Sequence, residues 1–235
     1  MMNRIEYIVH FHLSMSTTFT STHSSRQGTP RPMHTQTLFD RRGNRKYLTA
    51  AERRAVAIAA LRMAPPIATF LLTLLHTGAR ISEMLAVTPE RVDRANGVIV
   101  FETLKRRKRG VYRAVPVPPE LLKQLDAVHG VWSGQSDPSL RDLPLWDWGR
   151  TTAWKHVKFV MLAAKISEAR AMPRAARHAF GVNAVQSAVA LNIVQRWMGH
   201  ARIETTAIYA DVTGKEERVL ARRTWASLGK LGGRM

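Results

Sequence analysis

The chain has 235 residues, 45% of them hydrophobic, enough for one folded domain with a tail. Lys and Arg number 36 against 17 Asp and Glu, a formal charge of +19, so a polyanionic partner is expected, with nucleic acid the first candidate. The lack of cysteine excludes disulfides, zinc–cysteine sites and thiol catalysis, and no apolar run reaches membrane-spanning length.

Residues 5–13 are mildly apolar, but Glu6, His10 and His12 interrupt them and no small-residue cleavage site follows. This argues against a secretory leader. His10 and His12 lack an obvious third metal ligand. From about Ser14 to Pro32, Ser, Thr and Pro dominate, and such a segment cannot bury enough apolar surface to offset its ordering entropy. Residues 1–45 are therefore expected to form a disordered extension, with Met33 an alternative start, and 46–235 a folded domain.

The first helix is expected at Thr49–Glu52, a capping box, followed by Val56, Ala59, Ala60 and Met63 at helical spacing. Pro65-Pro66 breaks it and opens a second helix with Ile67, Phe70, Leu71, Leu74 and Leu75 on the buried face, capped by Gly78. A short helix through Ile81, Met84 and Leu85 ends at Thr88-Pro89. Asn96-Gly97 predicts a tight turn into a strand at 98–101. Residues 105–110 read as a hairpin tip, and Val111, Val115 and Val117 as the return strand, with Pro116 marking an edge. Further helices are expected near 119–128, 151–165, 174–188, 192–198, 204–211 and 215–228. The fold class is α+β, mainly α, with a small antiparallel sheet inserted among the helices.

Several positions carry chemistry. Arg80 follows a helix stop, where a new helix N-terminus also favours anions. Alone it reads as a surface arginine. Arg177 sits among small and apolar residues, 175–180, where a cation needs a partner if buried. A structural ion pair is the competing reading. Lys105-Arg106-Arg107-Lys108-Arg109 is either a solvated tip or a run that phosphates neutralise. His200 at a helix end reads alone as a cap, and Tyr209 alone as a packed tyrosine. With arginines and a lysine converging on one phosphate, the phenol becomes a nucleophile.

At these residues the chain resembles the tyrosine recombinase, or phage integrase, family. The matching strings are Thr77-Gly78-Ala79-Arg80-Ile81-Ser82-Glu83, Thr103-Leu104-Lys105, Ala176-Arg177-His178-Ala179-Phe180, Met198-Gly199-His200 and Thr206-Ala207-Ile208-Tyr209-Ala210. The resemblance runs from about Leu48 to Val212 and is greatest to short integrases of plasmids and mobile elements. It implies an integrase-type catalytic domain in which Arg80 and Arg177 clamp the scissile phosphate. It further implies that Lys105 protonates the leaving 5′ oxygen, His200 hydrogen-bonds the phosphate, and Tyr209 forms a 3′-phosphotyrosyl bond. Three residues before Arg177 the family usually has His or Lys; here it is Arg174. Arginine stabilises charge but is a poor proton shuttle at neutral pH. The helical N-terminal domain that usually closes around DNA has no recognisable counterpart.

The expected activity is metal-independent, cofactor-free site-specific recombination of double-stranded DNA by a cytoplasmic, DNA-associated tetramer. The alternatives are type IB topoisomerase-like relaxation and a non-catalytic DNA-binding protein on the same fold. A metal-dependent nuclease is disfavoured, because no Asp/Glu cluster suits divalent cations.

Overall fold

The computed structural model describes residues 37–103 and 110–210, together with 221, 222 and 225. The first helix, α1 (Ala50–Ala60), starts at the expected box: Thr49 Oγ1 accepts from the Glu52 amide at 3.2 Å, and Glu52 Oε2 accepts from the Thr49 amide at 2.8 Å. Two amides that a helix start leaves unpaired are thus satisfied. Glu52 Oε1 also receives Arg45 and Arg170, each at 2.7 Å, tying the helix start to the segment before it and to a distant loop. Residues 37–45, assigned to the extension by composition, carry a bridge between Phe39 and Arg45, and Leu38 is buried.

The second helix, α2 (Pro65–Thr77), is the centre of the domain. Phe70, Leu71 and Leu74 are fully buried, each contributing about 2 kcal/mol of apolar burial, and the helix packs against α1, α4 (Pro119–His129) and α7 (Pro173–Gln186). It ends at Gly78, whose φ of +59° is the left-handed conformation a helix stop favours. A Cβ there would also come within 2.7 Å of the Phe180 ring, so α2 and α7 approach closely at this point. The chain then leaves extended through Arg80 into α3 (Ile81–Met84).

After a 3-10 turn at Pro89–Arg91 comes an antiparallel sheet of β1 (Val92–Asp93), β2 (Val98–Glu102) and β3 (Tyr112–Pro116), in that spatial order. Pro116 lies on an edge strand, as its missing amide requires. Residues alternate along β3, so Arg113 and Val115 face inward, opposite Phe101 and Ile99. The sequence does not reveal β1, which is two residues long, or α5 (Val131–Ser136), which Gly130 separates from α4.

The remaining helices are α6 (Arg150–Ala163), α7, α8 (Leu191–Met198) and α9 (Glu204–Ala207). The expected helix over 204–211 is shorter in fact, and Tyr209 falls just beyond it. Trp146 anchors the loop before α6, donating from Nε1 to the Pro66 carbonyl at 3.0 Å. Of the helix expected over 215–228, Ala221, Arg222 and Trp225 are helical and Trp225 is exposed; the rest lies outside the described residues.

Candidate active site

The site is organised by one carboxylate. Glu83 is 1% exposed. Its Oε2 accepts from the Arg80 amide at 2.9 Å and from Arg113 Nη2 at 2.7 Å, and its Oε1 from Arg80 Nη1 at 2.7 Å. Burial alone would raise this carboxyl, but Arg113 and Arg80 outweigh it and hold it below its usual value. Arg113, itself buried, also donates from Nε to the Trp197 carbonyl at 2.8 Å and from Nη1 to Thr103 Oγ1 at 3.2 Å.

Arg177 comes from the second turn of α7. Its Nη1 donates to the Gly78 carbonyl at 2.6 Å and its Nη2 to the Met198 carbonyl at 2.5 Å. One guanidinium therefore joins the stop of α2 to the stop of α8. Burial and the nearby Arg80 charge lower its pKa to about 10, which leaves it cationic at neutral pH. Arg80 and Arg113 are paired with Glu83, and the Arg177 guanidinium, held by backbone carbonyls, lies within electrostatic reach of all three, a surplus of two positive charges in a partly desolvated place.

The α8 stop at Gly199 leads to His200, which is buried and hydrogen-bonds Thr206 Oγ1 through Nδ1 at 2.9 Å. Its ring stacks on that of Tyr209, centroids 6.2 Å apart and planes 14° from parallel. Tyr209 is 2% exposed, and its hydroxyl lies 3.2 Å from His178 Nδ1. The phenol lies against α7 at Gly181, where a Cβ would come within 2.6 Å of Cε2 and Cζ. Burial raises the phenol to about 12, opposed by Arg177 and Arg80. Burial likewise lowers His200 to about 3, with Arg177 and Arg80 adding, and His178 to about 4, with Arg174 and Arg177 adding.

Four of the residues singled out by sequence thus come together: Arg80, Arg177, His200 and Tyr209. Arg174 is exposed on the first turn of α7, one turn from Arg177. Cations at the positive end of a helix are unfavourable unless an anion docks there. Lys105, Arg106, Arg107, Lys108 and Arg109 lie outside the described residues. The strands leading to them close through the Thr103 amide and Val111 carbonyl at 2.8 Å, and Thr103 is itself bonded to Arg113. Glu83, His178 and Arg113 carry no role that their local sequence alone announces. For Arg113 a wider signal is present: it shares the inward register of Val111, Val115 and Val117, where a charge demands a buried partner.

The two histidines carry a pH dependence. Both have folded pKa values below the unfolded value of about 6.5, so the unfolded chain binds more protons in that interval. Their contribution is intact above about pH 6.5 and falls as the pH drops toward their folded values. At pH 5 each should cost about 2 kcal/mol. Thermal melts between pH 7.5 and 5 should show a falling midpoint, flattened in His178→Gln. A midpoint that stays level over this range would contradict the buried neutral imidazoles.

The phage integrase family model matches residues 46–216, and the chain belongs to that family. Among individual relatives, it is 28% identical over 156 residues to tyrosine recombinase XerD of Pasteurella multocida (strain Pm70), covering 63% of this chain and 50% of that protein. It is 27% identical over 171 residues to tyrosine recombinase XerA of Pyrococcus furiosus, covering 69% and 56%. The chain spans about half the length of these relatives. The crystal structure of XerA recombinase shares the fold with a TM-score of 0.63 at 21% identity, over 76% of this chain and 64% of that one. The catalytic domain of bacteriophage HP1 integrase superposes with a TM-score of 0.54 at 20% identity, over 80% and 98%.

Proposed function

We propose that the chain performs site-specific DNA recombination, cutting one strand at a time by transesterification through Tyr209. The observation that carries this reading is the cluster of three guanidiniums, two of them paired with Glu83 and the third, Arg177, close by, with His200 and Tyr209 beside it. A phosphodiester is a monoanion, and its pentacoordinate transition state approaches a dianion. Two surplus positive charges, fixed before substrate arrives, favour the second state over the first. The named relatives are tyrosine recombinases, and one structural neighbour is XerH site-specific recombinase bound to difH substrate, with a TM-score of 0.61 at 18% identity over 80% of this chain and 59% of that chain.

In this mechanism Arg80 and Arg177 bind the non-bridging oxygens and His200 donates a further hydrogen bond. The Tyr209 oxygen gives its proton to water as it attacks phosphorus, forming a 3′-phosphotyrosyl bond and breaking the bond to the 5′ oxygen. The Lys105 ammonium gives a proton to that leaving oxygen, and the lysine is reprotonated from water. Arg174 adds charge, not proton transfer. Because Tyr209 is packed on Gly181 and bonded to His178, the segment after α9 must shift for the phenol to reach a phosphate outside the core. The reading includes assembly as a tetramer on two DNA sites and, for 106–109, attraction to the backbone. In the neutralised triple variant Arg106→Ala/Arg107→Ala/Arg109→Ala, duplex affinity should fall for all sequences. The plot of log affinity against log salt should flatten by roughly one for each phosphate no longer neutralised. The reading itself is tested by incubation with nicked duplexes tiling the encoding locus, in chelator, followed by denaturing gels. A shifted covalent species supports it; its absence, or cleavage that depends on added metal, would overturn it.

A further inference from the structure

The two surfaces that meet at the phosphate site belong to segments far apart in sequence. Arg80 sits at the stop of α2, and His200 at the stop of α8. Arg177 bridges the two helix stops through backbone carbonyls, and Arg113 is a second side chain that touches the support of both. Its Nη2 holds Glu83, which in turn holds the Arg80 amide and guanidinium, and its Nε holds the Trp197 carbonyl, three residues before His200. The third arm, Nη1, is spent on Thr103. The guanidinium also lies over Phe101, whose ring centroid is 5.2 Å from Cζ.

The neighbouring backbone is shaped around this side chain. Gly199 has φ +63°, and a Cβ there would meet Arg113 Nη1 at 3.1 Å, Cδ at 3.2 Å and Cζ at 3.2 Å. A side chain at 199 would press on the guanidinium that holds the preceding turn. Lysine could not replace the arginine, because a single ammonium on a flexible stem cannot reproduce a planar fork serving three acceptors in different directions.

We infer that Arg113 is a positioning residue for strand cleavage: it locks the Arg80 arm and the His200 turn at the separation that suits one phosphate. This rests on the recombinase reading above. Arg113 touches no substrate in this account. It acts through Glu83 on Arg80 and through the Trp197 carbonyl on His200. A misplacement of about 1 Å in such a clamp costs about 100-fold in rate.

The test compares two substrates on one preparation. One nicked duplex carries the ordinary scissile phosphate; the other carries a methylphosphonate there, in which a neutral methyl replaces one charged oxygen. A neutral centre draws less on the arginine clamp, so a fault in the clamp matters less. Arg113→Lys should slow single-turnover adduct formation about 100-fold on phosphate but within about threefold on methylphosphonate. Duplex affinity should stay within about threefold. The ratio between the substrates cancels any loss of folded protein. Gly199→Ala presses on the same guanidinium and, at its left-handed φ, also strains the His200 turn that Arg113 holds, so it should give the same substrate pattern. Equal slowing on both substrates in both variants would show that Arg113 serves only the fold, and normal rates on phosphate would show that it positions nothing. Failure of the wild-type protein to form adduct on either substrate would instead overturn the recombinase reading, and the inference with it.

Discussion

Tyr209→Phe should abolish the covalent protein–DNA adduct, lowering its rate of formation at least ~10⁴-fold, while duplex binding stays within about twofold. The change removes one oxygen. The ring keeps its stacking on His200 and its place against Gly181, and the hydrogen bond it gives up is the one to His178, 3.2 Å long. That bond contributes about 1 kcal/mol, so the variant should fold. The phenol is not part of the arginine clamp, so the attraction for phosphate persists. Adduct at the wild-type rate from Tyr209→Phe would remove Tyr209 from the mechanism. Loss of binding along with adduct would mean that the residue shapes the domain instead of reacting.

The second large effect concerns Glu83. Its removal leaves Arg113, 6% exposed, with a buried charge and no counter-ion. Breaking one side of such a pair costs about 3–5 kcal/mol, which for a domain of this size lowers the melting midpoint by about 10 °C. Glu83→Ala should therefore be among the most destabilising polar substitutions in the chain. It should also free Arg80 from its 2.7 Å partner and slow cleavage beyond the loss of folded protein. The double variant Glu83→Ala/Arg113→Met removes the orphan charge and should regain much of the stability without regaining cleavage. Melts of the single and double variants check this. A double variant no more stable than Glu83→Ala would show that the pair is not the source of the cost. The pair also gives the domain an acid limb: Glu83 has a depressed folded pKa, so its contribution is present above its unfolded value of about 4.3 and is lost as the pH falls through the folded one.

Much of this architecture was legible locally. The Thr49–Glu52 box, the left-handed stop at Gly78 and the Asn96-Gly97 turn each need only a few adjacent residues, and each stands where the sequence places it. The helices starting at Pro65, Pro119 and Pro173 also announce themselves, since proline suits a first turn. The proximity of Arg80, Arg177, His200 and Tyr209 came from resemblance, because no local rule relates residues 80 and 209.

What the sequence hides is what depends on pairing at a distance. Arg113 and Glu83 are 30 residues apart, and neither alone says that the other neutralises it. The burial of Tyr209 depends on Gly181, a glycine in the middle of a helix, where the usual reading is only a lost fraction of helix stability. α9 stops at Ala207 although helical spacing continues, and Ile208 and Tyr209 just beyond it are buried in the core. In each case a tertiary contact overrides a local preference.

In the proposed mechanism the Tyr209 oxygen takes over a DNA phosphate. The most direct measurement isolates the adduct formed on a nicked duplex in chelator, digests it with trypsin and nuclease, and locates the added nucleotide by mass spectrometry. The expected result is a nucleotide, linked through its 3′ phosphate, on the peptide from Ile203 to Lys215, at Tyr209. A nucleotide on Tyr7, Tyr47, Tyr112 or a serine, or cleaved DNA with no modified peptide, would contradict it.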